Sequence, residues 1–359
     1  MGAEATIKTT YFSTEKIANI VSQYVKEARA SLEHQGLDMT TTRAEDEIGY
    51  DTVEFSFAVP VELSYDIANR LPMPAHYSHY NQSATNQIFE DGVKVGEVPR
   101  WSKRKILNME VSIKHDYGSV KVEGSIPKFL YGNNLHLAQP NNISVFISIL
   151  SSIMGIGVDV LRQAIVKRID TTANMLMDNS VESSLMLLGD AKGFYRHKEW
   201  KPLNSVYWCN SRTRIERASD VIIAYSKLDE MRIKKAETPP EYADKNLLRI
   251  EERLTTPAIK KLFAQHITLS QLGTDAVSAK LKDKLLNIIK QMEKLKAPNF
   301  DNLKSPSITV PSDVKNIYIS LAVTTLNEDM PIEYAVKMSP LNDKQRHAAK
   351  RQLDRKSVV

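Results

Sequence analysis

The chain has 359 residues, 42% of them hydrophobic and 25% charged, with a formal net charge of +5 and a single cysteine. That length can bury a sizeable core, as one large domain or as a large domain with a small companion, and the composition is that of a globular protein. The lone Cys209 excludes a disulfide scaffold and a cysteine-built zinc site and points to a reducing compartment, while the mild positive charge permits an anionic partner without requiring one.

No basic-then-apolar leader pattern opens the sequence. Apolar positions at helical spacing (Ile17, Ile20, Val21, Tyr24, Val25, Ala28) predict a helix over 10–34. Residues 52–60 alternate as a strand, with Val53, Phe55, Phe57 and Val59 on one face, and 61–72 read as a short helix. Residues 73–98 are polar and rich in turn formers, a loop with room for a hairpin; His76 and His79 in it lack a metal-ligand spacing and read as surface histidines. Arg100, Lys103, Arg104 and Lys105 form a basic cluster around Trp101. It is either a solvated turn or an edge that tracks phosphates while a base stacks on Trp101. Strands over 109–115 and 119–124 are joined by Asp116-Tyr117-Gly118, and Glu123 closes the second. Residues 126–135 read as a Gly- and Asn-rich loop, and the uncharged apolar run 143–158 as a buried core helix too short and serine-rich for a membrane span.

Three later stretches alternate ionisable and apolar residues. Over 166–172, Arg168, Asp170 and Thr172 share a face. Over 247–254, Arg249, Glu251 and Arg253 share one. Such side chains are costly inside apolar runs unless paired, metal-bound or lining a cleft. One reading is a structural Arg–carboxylate network across a sheet; the other is a cleft where Asp170 and Glu251, with Glu123, hold a divalent metal near Tyr225. The third stretch, Asp220-Val221-Ile222-Ile223-Ala224-Tyr225-Ser226-Lys227, reads as a buried strand with Ile223, Tyr225 and Lys227 on one face. A phenol beside an ammonium suits a tyrosine nucleophile attacking phosphate with a lysine holding negative charge, although strand tyrosines also serve as core or rim. Val206 to Cys209 is another strand, with Cys209 a packed thiol. Beyond 254 the pattern is helical: a long helix over 271–298, a Pro- and Asn-rich linker over 299–312 and a small basic helical tail over 313–359 that would suit a helix-turn-helix-like DNA contact or remain a solvated tail.

Three ordered segments resemble the gene II replication initiators of filamentous phages and their plasmid relatives. They are Val122-Glu123 leading into Pro127-Lys128-Phe129-Leu130-Tyr131-Gly132-Asn133-Asn134, then Arg168-Ile169-Asp170, then Ile223-Ala224-Tyr225-Ser226-Lys227 followed by Leu248-Arg249-Ile250-Glu251. Trp208 and Ser211-Arg212 also sit at the family's spacing before the tyrosine, and the resemblance covers residues 50 to 265. One departure is that some relatives carry a histidine directly after the loop glycine, where this chain has Asn133, with His136 three residues on.

The resemblance implies an α+β nicking core over 1–270, a mostly antiparallel sheet flanked by helices, followed by the helical C-terminal region. It implies a rolling-circle replication initiator that nicks one strand at a phage or plasmid origin and rejoins it through a tyrosine–DNA phosphodiester. Tyr225 would be the nucleophile and Lys227 its charge partner. Asp170, Glu251 and Glu123 would ligate Mg²⁺ or Mn²⁺. Arg168 and Arg249, with Arg100, Lys103, Arg104 and Lys105, would bind DNA. The implied partners are supercoiled origin DNA, single-stranded DNA and a host helicase and polymerase, in the cytoplasm of a bacterial host with no membrane role. No second tyrosine lies within a few residues of Tyr225; Tyr195, Tyr207 and Tyr242 are the distant alternatives. The competing account is a non-catalytic phage or plasmid DNA-binding regulator, although a plain binder needs Arg and Lys on these faces rather than carboxylates. An RNA-binding role lacks an aromatic strand motif to support it.

Overall fold

The computed structural model describes residues 48–72, 85–90, 93–177, 180–189, 191–197, 205–212 and 215–292. The helix expected over 10–34, His76 and His79, the linker 299–312 and the tail 313–359 lie outside the described residues. The chain is α+β. Among the described residues nine strands form one antiparallel sheet in the order β4 (Trp101–Ile106), β5 (Met109–Lys114), β6 (Ser119–Ser125), β1 (Ile48–Ala58), β7 (Ile165–Leu176), β11 (Leu247–Thr255), β10 (Asp220–Ser226), β9 (Ser205–Cys209), β8 (Tyr195–His197), and β2 (Thr85–Glu90) pairs with β3 (Val93–Pro99) in a separate hairpin. By internal contacts the chain divides into two units. One holds the described residues up to Met175 with Glu216–Ile222 and Ile250–Leu285; the other holds Leu176–Ile215, Ile223–Arg249 and the described residues from 286 on.

In the first unit, β1 (Ile48–Ala58) lies between β6 (Ser119–Ser125) and β7 (Ile165–Leu176), and β4 (Trp101–Ile106) and β5 (Met109–Lys114) extend the β6 side. Strict alternation gives this sheet two faces. Val53, Phe55, Phe57, Val111, Ile113, Val120 and Val122 bury one of them. Helices α1 (Val61–Arg70), α2 (Ile126–Tyr131), α3 (Pro140–Met154), α4 (Val158–Arg162), α7 (Thr256–Phe263) and α8 (Leu269–Leu272) add their apolar sides to that core. Phe146 of α3 meets Phe55 and Phe129 edge-on, at ring centroid distances of 6.2 and 5.3 Å.

The uncharged run is indeed a core helix. Ile143, Phe146, Ile147, Leu150 and Met154 are buried on one side of α3. Ser144, Ser148 and Ser152 line an exposed side, where each hydroxyl donates to a carbonyl three or four residues back. Those back-bonds satisfy the serines without any charged residue. No helix among the described residues is long and apolar enough to cross a membrane.

Two expectations are corrected here. The basic cluster is not a turn: Trp101–Ile106 is a strand paired with β5. The stretch 126–135 is not all loop either. Ser125 caps α2 by accepting from the Lys128 amide, Pro127 sits in its first turn, and Gly132 ends it at φ 81° with its N–H on the Lys128 carbonyl. That Pro-first, Gly-after arrangement is a helix signature.

The second unit contains α5 (Val181–Leu187), β8 (Tyr195–His197), β9 (Ser205–Cys209) and α6 (Lys227–Ile233). Trp208 is fully buried there beneath the Arg196 guanidinium, 5.4 Å from the ring centroid. Cys209 is a packed thiol as expected, with Sγ 3.2 Å from His197 Nε2.

The turn between β5 and β6 requires Gly118. Its φ is 55°, and an added Cβ would stand 1.9 Å from the Val59 carbonyl oxygen. Gly118→Ala is expected to cost about 1–3 kcal/mol from strain and crowding. A urea unfolding curve measures this as a lowered midpoint with an unchanged slope.

Candidate functional site

The face of the first unit's sheet opposite the helices is polar. Register carries one row across it from Lys105 through Glu110, Glu123 and Glu54 to Arg168. Like charges opposite one another destabilise a sheet, so this row needs cations. Lys121 lies 3.4 Å from Glu54 and 3.3 Å from Glu123. Arg168 makes two bonds to Asp170, Nε to Oδ1 at 2.8 Å and Nη2 to Oδ2 at 2.5 Å, and a third from Nη1 to Glu123 Oε1 at 3.1 Å. Arg253 of β11 (Leu247–Thr255) stands 3.5 Å from Asp170 Oδ2. Burial acts to lower the Arg168 pKa, but Asp170, Glu123 and Glu251 outweigh it and raise it above the usual guanidinium value.

Glu123, Arg168, Asp170 and Glu251, singled out from the sequence, therefore belong to one cluster. Its form is that of an Arg–carboxylate network. The metal that the resemblance implies does not fit this arrangement. Both oxygens of Asp170 accept from Arg168, and Glu123 accepts from Arg168 and Lys121, so these hard donors face guanidinium and ammonium rather than one another. Among the described residues no group of three or more His, Cys, Asp or Glu is placed to hold a metal ion. Asn133, at the position of some relatives' histidine, accepts from the Leu135 amide within its own loop.

Tyr225 and Lys227 lie in the second unit. In β10 (Asp220–Ser226), Tyr225 is the one partly exposed side chain; the other six residues are buried. Lys227 does not share its strand face. Ser226 accepts from the Asp229 amide and caps α6, so Lys227 opens the helix. It is fully buried, with Nζ 2.6 Å from Glu230 Oε2. Burial acts to raise the Glu230 pKa, yet Lys227 and Lys234 hold it down at about 2.

The expected DNA-contact residues divide. Arg100 and Lys105 are exposed and Lys103 is partly so. Arg104 points the other way, with Nε donating to the Ala68 carbonyl of α1 and Nη1 to the Lys103 carbonyl. Arg249 is fully buried, so its guanidinium is not presented to a DNA backbone. Strand alternation accounts for Arg104, which lies on the opposite face of β4 from Lys103 and Lys105.

With this geometry in view, comparison with family models identifies a match. The model for the N-terminal part of the replication-associated protein G2P matches residues 71–293, well over half of the chain. The chain belongs to that family. No curated protein matches it.

This gene II-type replication initiator keeps Tyr225, Lys227, Glu123, Arg168, Asp170 and Glu251 inside the family region, while β1, with Glu54, precedes it. Two features escaped the sequence reading. Asp51 of β1 is buried, accepting from Ser125 Oγ at 2.5 Å and from Asn134 Nδ2 at 3.0 Å, and so fastens the Gly-Asn loop. Lys284 of α9 (Asp275–Met292) reaches Asp220 at 2.7 Å and also bonds Glu252, which is fully buried. Burial, together with Asp220, raises the Glu252 pKa to about 7 against the pull of Lys284. Only the presence of an acidic pair near α9 could have signalled this, and sequence separation hides it.

Removing the Arg168 side chain leaves Asp170, which is 2% exposed, with Arg253 at 3.5 Å as its remaining ion pair. Arg168→Ala is expected to lose about 3–5 kcal/mol of stability, measured by denaturant unfolding, and Arg168→Lys less. The Glu252 shift sets a pH dependence. The folded state holds a proton that the unfolded chain releases near the ordinary glutamate value of 4.5. The unfolded chain therefore binds fewer protons between that value and about 7, and this contribution to stability falls as pH rises through the window. Glu252→Gln is expected to flatten that decline, read as the difference in Tm between pH 5 and pH 8 for each protein.

Proposed function

We propose that this replication initiator is a sequence-specific DNA nickase and strand-joining transesterase that starts rolling-circle replication at a phage or plasmid origin in a bacterial cytoplasm. The observation that carries the reading is Tyr225, the partly exposed phenol in an otherwise buried strand of a G2P-family chain. A strand end fixes the phenol's direction, and partial exposure leaves it open to a phosphodiester.

In the proposed step, Tyr225 Oη attacks the scissile phosphorus. A tyrosine–phosphate bond forms as the bond to the 3′ oxygen breaks. The phenolic proton is given up and the departing 3′ oxygen takes one, leaving a 5′-phosphotyrosine and a 3′-OH that primes synthesis. Attack by a 3′-OH on the phosphotyrosine reverses the step and joins the strand. Free tyrosine titrates near ~10, so the phenol gains from nearby positive charge. Lys227 is ion-paired with Glu230, and its burial favours a role in fixing α6 and the local field over direct contact with phosphate. Arg168, engaged by three carboxylate oxygens, orders the carboxylates of the first unit's polar face. Host helicase and polymerase would act on the nicked product.

Incubating the wild type and Tyr225→Phe with supercoiled origin DNA in Mg²⁺, Mn²⁺ or EDTA, followed by denaturing gels, tests this. Nicking with a covalent adduct is expected for the wild type, and a fall of at least about 10³-fold for the variant. Origin binding by both proteins with nicking by neither, in any buffer, would favour the non-catalytic regulator.

A further inference from the structure

We propose that the cleft at the β4–β5 end of the sheet binds one unpaired nucleobase of a single DNA strand, held against Trp101 and Tyr117 with its phosphates on Arg100 and Lys114. This rests on the nickase reading of the preceding section, with the single-stranded DNA that the resemblance implies as substrate, and it names a subsite on β4 and β5.

The cleft has a volume of about 470 Å³ and is lined by Arg100, Trp101, Ser112, Lys114, Asp116 and Tyr117 among others. β4 is the terminal strand of the nine, so the cleft opens at the sheet's edge. Trp101 pairs directly with Lys114 in register, which puts indole and ammonium on one face, the polar one. Tyr117 is 78% exposed, and no packing among the described residues accounts for an aromatic ring displayed so fully. It is carried on the short helical turn His115–Tyr117 that Gly118 closes, so its position is set by a rigid corner.

Arg100 is fixed from the opposite side, with Nε 2.9 Å from Asp116 Oδ2. The other guanidinium nitrogens stay on an exposed side chain. His115 anchors the same turn beneath. It is fully buried, and each ring nitrogen lies 2.8 Å from a serine hydroxyl, Ser64 on one side and Ser102 on the other. Aromatic rings, two cations and a hydroxyl on a rigid edge form a platform of the kind that takes a stacked base with its sugar-phosphate. Duplex DNA keeps its bases stacked inward and cannot offer one to such a cleft. The ligand chemistry is thus a nucleobase with an attached phosphate, from a strand or from a free nucleotide.

The test uses the full chain and fluorescein-labelled oligothymidylate, with anisotropy as the readout. Duplex DNA and free dTMP serve as competitors, and origin nicking is measured on the same preparations. Trp101→Ala and the exposed Tyr117→Ala are each expected to weaken oligothymidylate binding about 5- to 150-fold, with Trp101→Phe close to wild type. Tyr225→Phe should bind as the wild type does. Because Tyr117 is exposed, its substitution leaves the fold intact, and unchanged binding by Tyr117→Ala and Trp101→Ala overturns the proposal. Competition by dTMP as strong as by the oligonucleotide overturns the strand as occupant. Absence of nicking with the binding losses intact removes the nickase reading and leaves this site standing.

Discussion

The bidentate pair between Arg168 and Asp170 is the interaction on which the polar face of the sheet depends. Neighbouring strands bring Glu54, Glu123, Asp170 and Glu251 toward one region, and Asp170 is almost wholly out of water. Uncompensated, that much negative charge on a half-buried surface would be expelled or protonated. Arg168 binds Asp170 in fork geometry and reaches Glu123 with its remaining arm, while Lys121 and Arg253 take the flanks. A guanidinium suits this place because its donors are planar and fixed, so one side chain can hold two strands in register.

That network has a functional consequence. DNA is a polyanion, and a face presenting bare carboxylates would repel it. Pairing Glu54, Glu123 and Asp170 with cations offsets much of the face's negative charge, while Lys105, Lys103, Lys114 and Arg100 lie toward the β4–β5 edge. The division of labour follows the alternation of the strands. Apolar residues on one side hold the helices, and the opposite side is left for charge.

The tyrosine strand obeys a different constraint. β10 is buried along its length except at Tyr225, and the chain turns into a capped helix two residues later. Burial on the strand fixes the backbone, and the cap fixes where it stops. Tyr242, a distant alternative, is nearly buried beneath Lys245, and Tyr195 lies at 40% exposure under Arg212. Neither stands at the end of a buried strand.

The sequence by itself determined β1, β5, β6 and β7, the core helix α3 and the polar faces of β7 and β11, because period-two and period-3.6 patterns are local and each residue's face follows from its neighbours. It also carried the family, since short motifs in a fixed order survive without knowledge of contacts. It did not determine what the carboxylates meet. Glu123 and Arg168 are 45 residues apart, and the choice between a guanidinium partner and a metal ion is made by distances of a few ångströms across strands. For the same reason Arg104 and Arg249, sound DNA contacts on charge alone, turned inward, and Lys227 became the first residue of a helix because Ser226 capped it. Asp51 and the Asp220–Lys284–Glu252 cluster were invisible for want of any local signal: their partners are brought together only by folding, where burial gives a single hydrogen bond or ion pair its weight.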